Sequence, residues 1–582
     1  MDRKVSHTVK EKNIRPGVFS ILRQYSGIVI FLIMMALMGS AANMVIPKII
    51  ARGIDAYSSN SFKMRSVVTM FLTASSLIFI FTFLQSILQT FASERVAKDL
   101  RTRVAAKISH QSYSYILKSN PSRLLTNLTS DIDYVKMFVS QAFVSIISSA
   151  FIITGTSVLL ILINWKLALT VISIVPVIGS IFFIVLRKVR VLFKRSREVI
   201  DSLNRIINES IMGSALIRVL NSQQPETIKF LETNVVSRDL GLSILRLFAT
   251  LIPVIMFVSN LAVVTILALG GHFVVAGTMS LGNFAAFNSY LLMLIFPILM
   301  IGFMSNIIAQ ATAAYNRIYD VLDTPETEDT GIIDNAIRGD IRLRNVSLSY
   351  NGKPVLKNIS FSVKAGSRTA VIGPTAAGKS QLLYLLTRLI SPDSGTIEID
   401  GIDYRKYTKE IFHSRIGFVF QESVIFNMSL RENIAFNDKV TEESLKKAVE
   451  TAELSDFINS LPKKLDTIVS ERGTSLSGGQ KQRIMLARAL ALNPKILLLD
   501  DFTSRVDRKT ENKILCNLQS NYPDLTLISV TQKIAPVRHF EQIILLMEGE
   551  VIVTGQHNDL KDKSPEYAQI YSSQRSTQHY EL

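Results

Sequence analysis

The chain has 582 residues, enough for several domains. Hydrophobic residues make up 48% and charged residues only 19%, and the mean hydropathy is +0.29, too apolar for an ordinary soluble protein. A net charge of +17 fits nucleic acid or the cytoplasmic loops of a membrane protein, and the long apolar runs with Lys and Arg crowded between them decide for the membrane and against nucleic acid.

The N-terminus is polar and charged to about Gly27, and the first apolar run is long enough to span, so no cleavable signal peptide is expected. Six stretches of about 20 residues with few or no charges, roughly 27–48, 67–92, 141–163, 167–187, 247–270 and 282–309, predict an all-α membrane domain over 1–318. The only break between the third and fourth is Asn164-Trp165-Lys166, which fits a tight outer turn with an interfacial Trp. Residues 94–140 and 188–245 are long, basic and helix-patterned, so they and both termini are expected in the cytoplasm, as helices continuing well out of the membrane. Lys48, Arg52, Lys63 and Arg65 run against that bias around the first outer loop. The spans carry amides (Asn43, Gln85, Gln89, Asn260, Asn288, Asn306) but almost no mid-span acids or bases, which points to an apolar or amphipathic cargo. The amides can equally serve only to join helices.

Ala311–Leu322 extends the last span as an amphipathic helix, and 319–340, rich in Thr, Asp, Glu, Pro and Gly from Asp323 onward, is expected to be a linker. Over 341–575, β-like runs (Ile341–Tyr350, Val355–Val363, Arg368–Gly373, Arg415–Gln421, Lys495–Asp501, Thr526–Thr531) alternate with helical ones, predicting an α/β domain with a largely parallel sheet and an antiparallel flank. Residues 541–556 predict a hairpin turning at Glu548-Gly549, and 576–582 a tail. Within this half, Gly373, Pro374, Thr375, Ala376, Ala377, Gly378, Lys379 and Ser380 form a P-loop between a buried strand and a helix that continues with Gln381. Its backbone N–H groups and the helix start bind phosphate, Lys379 reaches the β- and γ-phosphates, and the Ser380 hydroxyl binds Mg²⁺. Lys495–Asp501 reads as the apolar Walker B strand ending in carboxylates, with Asp500 helping to hold Mg²⁺. The predicted fold is thus a six-span helical membrane domain followed by an α/β P-loop ATPase domain that uses ATP and Mg²⁺. The single cysteine, Cys516, excludes an internal disulfide framework and a cysteine-built zinc site, and is expected to be a small buried apolar residue.

Leu476-Ser477-Gly478-Gly479-Gln480 lies just ahead of a helix and the Walker B strand. On these motifs the chain resembles an ATP-binding-cassette (ABC) exporter half-transporter of the multidrug and lipid type, over nearly its whole length. The resemblance implies that Tyr350 stacks on adenine and that Gln421 touches Mg²⁺ while facing the membrane domain. It also matches Glu471-Arg472-Gly473 to the stretch ahead of the signature, and Ala311–Leu322 to an Ala-rich segment ending in an Arg-Ile pair. It implies docking of loop helices near His110–Leu117 and Ser210–Arg218 on the ATPase domains, one of them next to Gln421. It implies an integral protein of the bacterial inner (plasma) membrane, with the ATPase domain and both termini cytoplasmic. Two ATPase domains would pair head to tail, so that Ser477, Gly478, Gly479 and Gln480 close the ATP site of a second half-transporter chain.

The sequence departs from the pattern in its catalytic parts. Asp501 stands where a Glu orients and deprotonates water, and its shorter side chain sets the carboxylate about 1–1.5 Å back, a misplacement worth about 100-fold in rate. Gln532 replaces the His that contacts the γ-phosphate, and it cannot carry the positive charge. Ser504-Arg505-Val506-Asp507, Ala376 and Gln381 are further departures, while Lys379, Ser380 and Asp500 stand. The expectation is a heterodimeric exporter in which this chain supplies a degenerate site and a sound signature loop. The alternatives are a slow homodimer in which Asp501 still works, or a regulatory or channel-like subunit.

Overall fold

The structure, a computed structural model, describes residues 17–326, 331–350, 352–470 and 473–579. Glu471 and Arg472 of the stretch before the signature, part of the expected linker and the last three residues of the expected tail lie outside the described residues. The chain divides into two compact units: one runs to Ser109 and resumes over Ser119–Pro325, and the other joins His110–Lys118 to the chain from Glu326 onward.

Among the described residues, the first unit holds six helices long and apolar enough to cross a membrane: Ser26–Ser58, Met64–Ser109, Pro121–Ile163, Trp165–Met212, Gln223–Val275 and Leu281–Leu322. The second to fifth run 43 to 53 residues. A bilayer needs only about 20, so about 25 residues, or about 40 Å of helix, remain in the basic stretches outside the apolar run. The break between the third and fourth is a single residue: Asn164 leaves the helix for an extended conformation (φ −157°, ψ 105°), and its side chain accepts from the Leu167 N–H at 3.2 Å as a cap. Beside it Trp165 is exposed.

The first and last spans meet closely. The Asp55 carboxylate accepts from the Ser280 hydroxyl (2.8 Å) and the Gly282 N–H (2.7 Å), capping the start of the sixth span. A Cβ at Gly282 would lie 2.0 Å from the Ala51 carbonyl oxygen, so only glycine permits this approach. On the extension side, the Arg317 guanidinium forks onto the buried Asp131 carboxylate (Nε–Oδ2 3.0 Å, Nη2–Oδ1 2.5 Å), tying the third helix to the sixth.

The described residues of the second unit form two sheets. Strands β1 (Ile341–Tyr350), β2 (Lys353–Val363), β4 (Ser394–Ile399) and β5 (Ile402–Asp403) form an antiparallel sheet in the order β2-β1-β4-β5. Strands β3 (Arg368–Ile372), β6 (Ile416–Val419), β7 (Ile496–Asp500), β8 (Thr526–Thr531), β9 (Gln542–Met547) and β10 (Glu550–Gly555) form the other, in the order β10-β9-β3-β8-β7-β6. Five of these are parallel, and β10 alone is antiparallel. β7 and β8 are buried at every residue, as parallel strands covered on both faces must be. The β9–β10 turn puts Glu548 (φ +48°) and Gly549 (φ +80°) in the left-handed region, the conformation of a two-residue I′ hairpin.

Cys516 corrects one expectation: it is exposed. Helix Arg508–Asn521 turns Glu511, Ile514 and Leu518 inward, and a residue two positions after Ile514 lies on the opposite face.

Candidate nucleotide-binding site

The site grows from the end of β3. The loop leaves the sheet at Gly373, where a Cβ would sit 2.0 Å from the Leu546 carbonyl oxygen. It enters helix Lys379–Leu386 through Gly378 at φ +94°, where a Cβ would meet Leu356 Cδ2 at 2.7 Å. Between them Ala376 holds φ +65° with a side chain attached, a left-handed placement that costs about 1–2 kcal/mol for a non-glycine residue. Ala377 is buried beneath the loop. The Lys379 ammonium donates to the carbonyls of Gly373 (2.9 Å) and Pro374 (2.6 Å). Burial lowers its pKa, opposed by the nearby charges of Asp501 and Asp500.

Asp500 ends β7 facing the loop. Its Oδ1 accepts from the Ser380 hydroxyl at 3.1 Å, while Oδ2 is buried with no partner among the described residues. Burial pushes the carboxyl above its ordinary range, with Asp501 adding to the rise and Ser380 opposing it. A hydroxyl beside a carboxylate with one unpaired buried oxygen is a set of hard oxygen donors, and it fits Mg²⁺. Asp501 follows at φ +47°, a region that Asp tolerates better than most residues. Burial raises its carboxyl too, against the pull of Lys533 and Lys379.

Opposite stands Gln532, just past β8, whose amide donates to the Thr375 hydroxyl at 3.3 Å. The Tyr350 hydroxyl donates to Gln381 Oε1 at 2.9 Å, so the two residues close one wall together. Gln421 lies in the loop after β6, where its carbonyl accepts from the Gln482 amide at 3.3 Å. Tyr350, Thr375, Ala376, Gly378, Lys379, Ser380, Gln381, Gln421, Asp500, Asp501 and Gln532 all line one cavity of about 410 Å³, a size suited to a small ligand.

The signature residues are not among those lining it. Ser477 and Gln480 form a reciprocal cap: Ser477 Oγ accepts from the Gln480 N–H (3.3 Å) and Gln480 Oε1 from the Ser477 N–H (2.8 Å). Gly478 and Gly479 open helix Gly478–Leu490 against Arg505, whose carbonyl oxygen would lie 2.9 Å from a Cβ on Gly479. The start of a 13-residue helix with small residues is a surface that accepts anions.

The loop near His110–Leu117, expected to dock on an ATPase domain, meets the site through a ring contact that the sequence did not specify. His110–Lys118 belongs to the ATPase unit, and Tyr113, at the start of helix Tyr113–Ser119, sets its ring 5.7 Å from Tyr384, edge to face. Tyr384 lies on the P-loop helix and packs in turn on Phe418 (5.9 Å) and Phe420 (6.4 Å), the latter next to Gln421. An aromatic chain thus joins a loop of the first half to both the P-loop helix and the Gln421 loop. The Tyr113-Ser114-Tyr115 cluster in a polar, basic stretch was the available signal.

The pattern described as the ABC transporter transmembrane region matches residues 29–298, and that of the ABC transporter matches 356–504. The chain is 34% identical to the uncharacterized ABC transporter ATP-binding protein YfiB of Bacillus subtilis (strain 168), over 84% of this chain and 86% of that one. It is 30% identical to the ATP-dependent lipid A-core flippase of Syntrophus aciditrophicus (strain SB), over 85% and 83%. The structure of a bacterial Atm1-family ABC exporter with ATP bound superposes with a TM-score of 0.79 at 25% identity, over 95% of this chain and 99% of that one. Six apolar helices, a P-loop cavity and these likenesses lead to one conclusion: this chain belongs to the ABC transporter family, as a membrane-spanning ATPase with the exporter architecture.

Proposed function

We propose that this chain is half of an ATP-driven exporter that moves an apolar or amphipathic substrate out of the cytoplasm or across the bilayer, paired with a second half-transporter chain. The observation that carries this is the single cavity in which Lys379, Ser380 and Asp500 converge, on a chain with six apolar helices. Lys379 and the loop N–H groups would hold the phosphates of ATP, and Ser380, Asp500 and Gln421 the metal. Bound Mg²⁺ neutralises charge on the phosphates. The lipid A-core flippase relative supports a lipid-like cargo, as does the lack of mid-span charges.

The same cavity carries the weak catalytic set. Asp501 offers a carboxylate one methylene short, and Gln532 a neutral amide, so this site would bind MgATP well and turn it over slowly. The signature loop lies off the cavity with its cap intact, which supports a role at a partner's site: Ser477 offers a hydroxyl and the helix start offers N–H groups to a γ-phosphate. Around the short helix Ser214–Val219, Ile211, Met212, Leu216, Val219 and Leu220 are 62% to 82% exposed, an apolar tip that supports docking on a second chain's ATPase domain. A sound signature beside a weak catalytic set favours a heterodimer. A slow homodimer is the second reading, favoured by Asp501 keeping a carboxylate in the cavity. The proposed setting is the bacterial inner membrane, with the ATPase domains cytoplasmic.

The test is transport in proteoliposomes holding the purified transporter, with a fluorescent phospholipid and an amphipathic cationic dye as cargoes. ATP-dependent movement of either, lost in Lys379→Ala, is expected. Selective movement of a small, strongly anionic compound instead would refute the cargo class.

A further inference from the structure

The loop carrying Gln532 is held from behind by the last helix, Pro565–His579. That helix lays Tyr567, Ile570, Tyr571 and Gln574 along one face, at spacings of three, four and seven residues. Tyr567 is fully buried and its hydroxyl pairs with His557 Nδ1 at 2.8 Å, while the Tyr571 ring lies 5.0 Å from the His557 ring. Ile570 and Tyr571 pack on the core of the ATPase unit. One turn further, the Gln574 amide straddles the loop backbone: Nε2 donates to the Gln532 carbonyl (2.6 Å), and Oε1 accepts from the Ile534 N–H (2.9 Å). One amide orientation satisfies both bonds, and the flipped one satisfies neither. The same Gln532 reaches across the cavity to Thr375.

We propose that Gln574 is a positioning residue for the ATP site: it sets the backbone from which Gln532 reaches the γ-phosphate, so that the last helix controls how well this chain tells ATP from ADP. This rests on the reading of Gln532 as the γ-phosphate contact. Gln574 is not among the residues that line the nucleotide cavity, and its two amide bonds go to the backbone of the Gln532 loop. A defect in the loop therefore falls on the ligand that has a γ-phosphate, whereas a general loss of structure weakens both nucleotides alike.

The experiment uses the full transporter, photolabelled with radioactive 8-azido-ATP, with this chain resolved as its own band. Labelling is competed with ATP or with ADP, both with Mg²⁺. In Gln574→Ala the half-competing ATP concentration should rise about fivefold, the effect of about one neutral hydrogen bond, while that of ADP stays within about twofold. Gln574→Glu keeps the size and the acceptor but loses the donor to the Gln532 carbonyl. It should match or exceed the alanine effect, and it serves alone if the alanine variant misfolds. Equal weakening of ATP and ADP, or no change in either, overturns the proposal. Gln532→Ala separates the two levels. If it loses the preference for ATP and the Gln574 variants keep it, only the positioning role fails. If it also keeps the preference, the γ-phosphate reading fails with it.

Discussion

If Asp501 and Gln532 leave this chain's site catalytically weak, as proposed, Asp501→Glu with Gln532→His should speed ATP turnover there. The added methylene advances the carboxylate by about 1–1.5 Å, a displacement worth about 100-fold, or about 2.7 kcal/mol. The backbone takes part of that back. Residue 501 sits at φ +47°, where Asp is enriched several-fold, a preference of about 1 kcal/mol that Glu lacks. About 1.7 kcal/mol remains, or about 20-fold for Asp501→Glu alone. Gln532 already lines the cavity within 3.3 Å of Thr375, so a His there can add a charged donor, worth about 1 kcal/mol more than a neutral one. The two groups share one site and will not add fully, so the double variant should gain between about 20- and 100-fold. The assay is steady-state ATPase activity of the purified transporter at saturating MgATP. It is run both in the parent and with Ser477→Arg present, which under the heterodimer reading silences the partner's site and leaves this one visible. An unchanged rate in both backgrounds would refute the claim that Asp501 and Gln532 limit this site.

Tyr113→Ala should remove an edge-to-face contact worth about 0.5–1.5 kcal/mol against Tyr384. Basal ATPase should stay within about threefold while stimulation by transported substrate is lost; an unchanged stimulation ratio would argue against coupling through Tyr113. Asp500→Asn should make the nucleotide-free protein more stable near neutral pH, by about 2–4 °C in Tm, while abolishing the further rise that MgATP produces. Burial raises the folded carboxyl above its unfolded value, so its stabilisation is present below the unfolded pKa and is lost as pH rises through the folded one. The gain should therefore vanish in acid, and a gain independent of pH would contradict the assigned cause.

The spans were legible because 20 uniformly apolar residues have few other uses, although the helices run far beyond the apolar stretch and only periodicity hinted at that. The strand, loop and helix around Lys379 were legible for a local reason. An uninterrupted apolar strand and glycines at Gly373 and Gly378 leave few alternatives, and the β9–β10 turn was equally local. β4 and β5 were missed: they are short and partly exposed, β4 pairs with β1 across some 55 residues of chain, and β5 pairs with β4. Cys516 was misjudged because a residue-type tendency was preferred to helix phase. Docking of the loop near His110–Leu117 was anticipated from the resemblance, but the pairing of Tyr113 with Tyr384 and of Gln574 with the Gln532 loop is tertiary, and local sequence does not name either partner.

The division of labour between two ATP sites is tested most directly by comparing two single changes in the purified transporter. Ser477 caps the signature helix away from this chain's cavity, whereas Asp501 lines that cavity. If the signature loop completes a competent partner site, Ser477→Arg should abolish most ATP turnover. Asp501→Asn, in a site that is already slow, should then change turnover little. Steady-state ATPase activity reads both. Equal loss in the two variants would mean that this chain's own site hydrolyses ATP, and would contradict the degenerate-site account in favour of a homodimer.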